Sequence, residues 1–145
     1  MNRLAACVLA FVLTVPALAA AQPSPLVVSN AWLRKVPGAD TAAVYLMLRN
    51  TGAEPVIVIG VRSPAASNVM IHESSTANGQ SQMRMHEKLV IAPGQTLALQ
   101  PGGLHVMLSG FSKNPLPGQS VSLVLLLANG AAVPVVAVVR SLGAQ

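Results

Sequence analysis

Residues 120–140 read SVSLVLLLANGAAVPVVAVVR, two runs rich in valine and leucine on either side of Asn129-Gly130. Short runs of branched apolar residues favour β-strands. Asn-Gly between two such runs indicates a hairpin, because both central residues of a type I′ turn adopt positive φ. The stretch therefore predicts strands at 120–128 and 132–140 joined by a type I′ turn at Asn129-Gly130.

The chain before this hairpin has the same pattern of short apolar runs separated by turn residues. Pro-Gly pairs stand at 37–38, 93–94, 101–102 and 117–118. We expect further strands near residues 26–33, 42–50, 55–62, 68–73, 82–86, 96–100 and 104–109. The polar run Glu73–Gln82 is interpreted as a loop or wide hairpin. Without sustained helical periodicity after the N-terminal region, the predicted fold is all-β, an antiparallel Greek-key sandwich.

The N-terminal segment has the features of a secretory signal peptide. Arg3 supplies a positive charge, Leu4–Leu18 is apolar, and small residues follow up to Ala21. We expect a signal peptide at residues 1–21 and one domain at 22–145, although cleavage after Ala19 also fits. The apolar run is about 15 residues, short of the roughly 20 needed to span a bilayer. Residues 4–7 superficially match a lipoprotein cleavage box, but almost no apolar segment precedes them to act as an export signal.

Composition excludes several classes of function. The net charge of +5 is mild and the basic residues are scattered, while two Phe, one Tyr and one Trp provide no platform for stacking bases, so we expect no nucleic-acid partner. The one cysteine, Cys7, is removed with the signal peptide. Blue-copper electron-transfer centres require a cysteine thiolate. Neither Ala20 nor Gln22 offers an N-terminal histidine for a copper enzyme, and no nucleophile and base pair is indicated, so we expect no enzyme.

Histidine and methionine cluster in two short segments. Five of the nine His and Met residues lie between Met70 and His86, and His105 and Met107 follow. Residues two apart on a strand share a face, so His105 and Met107 project together, as do the pair 70 and 72 and the pair 83 and 85. Val106 and Leu108 then point into the core.

This donor set suits a soft cation. The methionine thioether is uncharged and favours Cu(I) over zinc or calcium, and neutral imidazole adds stronger donation without negative charge. A hard cation would require carboxylates, of which only Glu73 and Glu87 lie nearby. The cluster therefore predicts a Cu(I) site.

The spacing His72, ten residues, Met83, twenty-one residues, His105-Val106-Met107 resembles the motif of the periplasmic copper chaperone family PCu(A)C. The segments at 30–32, 43–52 and 101–108 are similar to that family as well. The resemblance implies a cupredoxin-like β-sandwich that holds one Cu(I) per chain through His72, Met83, His105 and Met107, and we expect this domain to be a monomer. It also implies copper delivery toward cytochrome c oxidase assembly, with an oxidase subunit or a Sco-type protein as acceptor.

Neighbouring residues are expected to have structural roles. Met70 and Met85 are interpreted as core residues or residues behind the ligands, and His86 as a surface residue. Trp32, Tyr45 and Met47 are expected in the core. Two other functions stay open: a general periplasmic copper-binding and homeostasis protein, and a structural sandwich in which the cluster is accidental.

Overall fold

The computed structural model describes residues 24–141, which form ten strands joined by turns. The strands are β1 (Leu26–Lys35), β2 (Thr41–Asn50), β3 (Val56–Arg62), β4 (Ala66–Ala77), β5 (Gln80–His86), β6 (Leu89–Ile91), β7 (Thr96–Leu99), β8 (Leu104–Phe111), β9 (Ser120–Leu127) and β10 (Ala132–Arg140). Nine were predicted. The sequence did not reveal β6, because three residues are too few to show an alternating pattern. No helix in the described part could cross a membrane, and the predicted cleavage after Ala21 lies outside it.

The predicted hairpin between β9 and β10 is confirmed, but its turn type was wrong. Gly130 has φ of 85°, whereas Asn129 is not among the residues with positive φ. The Gly130 N–H donates to the Leu127 carbonyl and the Leu127 N–H donates to the Ala131 carbonyl, which gives a three-residue loop ending in a left-handed glycine. The side chain of Asn129 accepts from the Ala131 N–H at 3.0 Å, a contact that stabilises this turn.

The two-residue turn with positive φ at both positions lies instead between β4 and β5. Asn78 and Gly79 have φ of 52° and 73°, and Ala77 pairs with Gln80 on either side of them. The loop or wide hairpin expected over Glu73–Gln82 is therefore wrong, because both strands continue to a tight turn. No side chain of β5 is fully buried, so burial imposes no apolar pattern from which this strand could be recognised.

The strands follow one continuous path, β5-β4-β8-β2-β1-β10-β9-β3-β6, and β7 pairs with the far end of β2. Neighbours are antiparallel except β1 and β10, which are parallel, so the predicted sandwich is confirmed with a mixed sheet. A bulge between Ser29 and Trp32 interrupts the register of β1 with β2, and Asn30 there has φ of 53°.

A single hydrophobic core lies inside this folded sheet, and every strand except β5 contributes to it. Ile71 of β4 and Val106 and Leu108 of β8 are at most 4% exposed and belong to this core. Because side chains alternate across a strand, their neighbours in the chain must project from the outer surface of the same sheet. That outer surface contains the predicted metal ligands.

Candidate metal centre

The two predicted histidine ligands are direct cross-strand neighbours. His72 of β4 pairs with His105 of β8, and both flank buried residues that point the opposite way. Their ring centroids are 6.0 Å apart, with the rings nearly perpendicular. A metal–nitrogen bond of about 2.0 Å puts an ion about 3.2 Å from each ring centre, so two rings sharing one ion lie within about 6.4 Å. The observed separation fits one shared ion.

His105 is oriented by a backbone contact. Its Nδ1 lies 3.0 Å from the carbonyl oxygen of Gly103, and because a carbonyl only accepts, Nδ1 carries the proton and donates. The lone pair of the neutral ring is then on Nε2. Fixing the tautomer through the other ring nitrogen is the usual way in which proteins orient a metal-binding histidine. His105 is only 5% exposed, so the ring is held in place.

His72 carries a nitrogen whose hydrogen-bonding capacity is unused. Its Nδ1 is buried and has no hydrogen-bond partner among residues 24–141, which is uncommon for a buried polar atom and costs free energy unless something satisfies it. Burial, and secondarily the nearby His105, lowers the pKa of His72 from its ordinary value of 6.5. A neutral imidazole with a free lone pair is the form that binds a metal.

Four methionines surround this histidine pair on the same surface. Met107 is half-buried two residues beyond His105, and Met83 lies on β5, opposite Ser74. Met85 is directly opposite His72, and Met70 is directly opposite Met107. Met70 and Met85 do not pack in the core, which was one of the two positions expected for them, because they are 44% and 58% exposed. Both are on the outer face, which the core does not cover.

Aromatic residues flank the pair on its other side. The ring of Tyr45 lies 6.3 Å from that of His105, and Trp32 packs on Tyr45 with a centroid distance of 4.7 Å. Arg140 lies over the Trp32 ring at 4.8 Å. Tyr45 is buried, but the expectation that Trp32 and Met47 lie in the core is wrong, since both are half-buried and outside the core cluster. The strand order places Tyr45 beside His105, and Trp32 packs behind Tyr45.

The acidic residue nearest the histidine pair is engaged elsewhere. Glu73 points to the opposite side from His72 and contacts His86 at 2.8 Å and Arg84 at 3.0 Å. These two hydrogen bonds, His86 first, lower the pKa of Glu73. His86 is half-buried in this contact, on the opposite face of β5 from Met85. Within residues 24–141 no three His, Cys, Asp or Glu residues converge on a possible metal site, so the described donors are two imidazoles among thioethers.

Acidification should weaken Cu(I) binding, because protons compete for the imidazole nitrogens. A lowered pKa keeps His72 neutral to a lower pH than an ordinary histidine, so this residue favours binding at neutral pH and resists loss until the pH falls below its ordinary value of 6.5. Competition titrations between pH 8 and pH 5 should show a falling affinity at the acidic end. A constant affinity over that range would indicate a thioether-only site.

Comparison with known proteins identifies the family and the fold of this chain. The family model described as "Putative lipoprotein LpqE-like" matches residues 26–139. The chain belongs to the LpqE-like family. This family is related to the PCu(A)C family, and its model covers most of the described residues. A curated relative named "Putative lipoprotein Lxx21020" from Leifsonia xyli subsp. xyli is 38% identical over 114 residues, covering 78% of this chain and 68% of the relative.

Solved structures of PCuAC domains have the same fold as this LpqE-like chain. The Cu(I) form of DR1885 from Deinococcus radiodurans is 30% identical, with a TM-score of 0.66 over 88% of this chain and 85% of that protein. The copper-bound PCuAC domain from PmoF2 gives a TM-score of 0.68 over 81% of this chain and 94% of that domain, at 24% identity. The resemblance to the PCu(A)C family and its cupredoxin-like β-sandwich is confirmed.

Proposed function

We propose that this protein is a periplasmic Cu(I) metallochaperone that holds one copper ion through His72, Met83, His105 and Met107. The observation that carries the proposal is the cross-strand histidine pair. His105 has its free nitrogen fixed, and His72 has a buried nitrogen without a partner in the described part of the chain. Thioethers on both sides of that pair complete a soft, uncharged donor set. The Cu(I)-loaded relative of the same fold supports the choice of metal.

An open site suits a carrier better than a permanent copper centre. Met83 is 56% exposed and lies on the edge strand β5, so an acceptor protein can approach the ion from that side. Neutral ligands add no charge attraction that would retain a monovalent ion, and a thioether donates more weakly than a thiolate. The site therefore favours reversible binding of Cu(I) and its transfer to an acceptor. It does not favour a role in electron transfer.

The proposed acceptor is a copper-binding subunit of cytochrome c oxidase or a Sco-type protein. This part of the proposal follows from the sequence resemblance, and the excess of basic residues is consistent with docking on an acidic surface. Export from the cytoplasm is supported by the lipoprotein name of the relative, while residence in the periplasm and cleavage after Ala21 stay predictions.

A Cu(I) titration tests the function directly. We expect the protein to bind one equivalent of Cu(I) in competition with a chromophoric chelator, and the quadruple variant H72A/M83A/H105A/M107A to bind none. Thermal unfolding of the metal-free forms should show that the variant is folded. Mixing the loaded protein with a candidate oxidase subunit or Sco-type protein should then move the copper.

Three outcomes would contradict the proposal. Equal binding by the wild type and the quadruple variant would place the copper elsewhere. Retention of copper in the presence of every oxidase subunit and Sco-type protein tested would favour a general role in copper homeostasis, and absence of any Cu(I) binding would favour a structural sandwich.

A further inference from the structure

The outer face carries more sulfur donors than one Cu(I) ion requires. The motif spacing selects Met83 and Met107, yet Met70 and Met85 lie on the same face at exposed positions. Exposing an apolar thioether brings no packing benefit to the fold. The excess raises the question of which sulfur on β5 contacts the copper.

The strand register places Met85 closer to the histidine pair than Met83. Met85 is directly opposite His72. Met83 is opposite Ser74, which is two residues closer to the Asn78-Gly79 turn. With strands about 4.8 Å apart and a rise of about 3.3 Å per residue, the Cα of Met85 lies about 7 Å from the midpoint of the His72 and His105 Cα atoms, and that of Met83 about 10 Å. By the same calculation, the Cα of Met107 lies about 7 Å from that midpoint.

We propose that Met85 is a further Cu(I) ligand that exchanges with Met83, an inference that rests on the proposed Cu(I) function. The two side chains lie on the same face of one strand and approach the ion from the same side, opposite to Met107. In the exchange, one copper–thioether bond breaks as the other forms. The copper stays monovalent, and no proton moves, because neither thioether titrates.

The position of β5 connects this exchange with the transfer of copper to an acceptor. Among the strands of residues 24–141, β5 pairs only with β4, is the edge of the sheet, and has no fully buried side chain. An exchange between Met85 and Met83 moves the ion outward along this edge, from the row of the histidines toward the Asn78-Gly79 turn. An acceptor that offers its own ligand at the edge can therefore take the copper while one methionine still holds it.

Methyl NMR of the protein labelled at its methionine ε-carbons tests the inference. On anaerobic addition of one equivalent of Cu(I), we expect the methyl signals of both Met83 and Met85 to shift, together with that of Met107. Met47 is the comparison signal, because it lies on β2 between Ser29 and Ala98, across β8 from Met83 and Met85, and we expect it to shift less than either of them. The single variants M83L and M85L assign the two signals with little change in side-chain volume.

Affinity measurements on the same variants provide the second readout. If the two sulfurs are equivalent, each single variant should weaken Cu(I) binding by only about twofold, the statistical factor. The double variant M83L/M85L should lose more than about tenfold, because no sulfur remains on that side. M47L should bind like the wild type.

An unshifted Met85 signal, with M83L as weak as the double variant, would overturn the exchange and leave the proposed function intact. Failure of the proposed function has a different signature, since neither the Met107 signal nor any other would then respond to Cu(I). The substitutions lie on an exposed edge strand, and thermal unfolding of the metal-free variants checks that they fold.

Discussion

Replacing both histidines, in the variant H72A/H105A, should reduce Cu(I) affinity by more than about a hundredfold. Outer residues that only orient a ligand already contribute about 10- to 100-fold to metal affinity, and these two imidazoles are the donors themselves. The thioethers that remain are weaker donors on an exposed surface. A chelator competition at pH 7.5 measures the change.

The third histidine of the chain is a matched control for this variant. His86 lies on the opposite side of β5 from Met85 and contacts Glu73. H86A should therefore leave Cu(I) affinity unchanged, although it removes a half-buried histidine from a neighbouring position. Equal losses in H86A and H72A/H105A would indicate that the histidines act on the fold and not on the metal.

The variant N50A should lose at least about 3 kcal/mol of folding free energy. Asn50, at the end of β2, is fully buried. Its Nδ2 donates to the carbonyls of Glu54 at 2.7 Å and Ile91 at 2.9 Å, and its Oδ1 accepts from the Gly52 N–H at 2.9 Å. Each such hydrogen bond contributes about 1 kcal/mol, and the abandoned buried partners add a further cost. Urea unfolding of the metal-free protein measures the loss.

The neighbouring residue provides the comparison for that prediction. Thr51 donates its hydroxyl to the Pro25 carbonyl at 2.9 Å from an exposed position. T51A should therefore cost no more than about 1 kcal/mol, because water can replace the contact. A loss below 1 kcal/mol for N50A would show that the buried amide is not a fold determinant. The segment around Asn50, part of the family resemblance, thus belongs to the fold and not to the copper site.

Local sequence pattern was sufficient to predict most strands and the shared face of two ligands. Alternation around Val106 and Leu108 placed His105 and Met107 together, and both core residues are buried as expected. The strands β9 and β10 were recognisable because each is apolar and long. The β4–β5 hairpin was not, since its polar side chains extend beyond the core and carry no burial pattern.

The pairing of His72 with His105 required information that alternation does not contain. It depends on β4 lying beside β8, although three strands separate them in the chain. The same strand order places β2 on the other side of β8, which is why Tyr45 reaches His105. Motif spacing predicts four ligands, but only the register shows that Met85 is nearer to the histidine pair than Met83.

X-ray absorption spectroscopy of the protein loaded with one equivalent of Cu(I) tests the shared site most directly. We predict a Cu(I) edge and a mixed coordination shell, with two nitrogen ligands at about 2.0 Å and two sulfur ligands at about 2.3 Å. Exchange between Met83 and Met85 leaves this count unchanged. A shell of nitrogen and oxygen alone, or of sulfur alone, would contradict a copper ion held jointly by the histidine pair and its methionines.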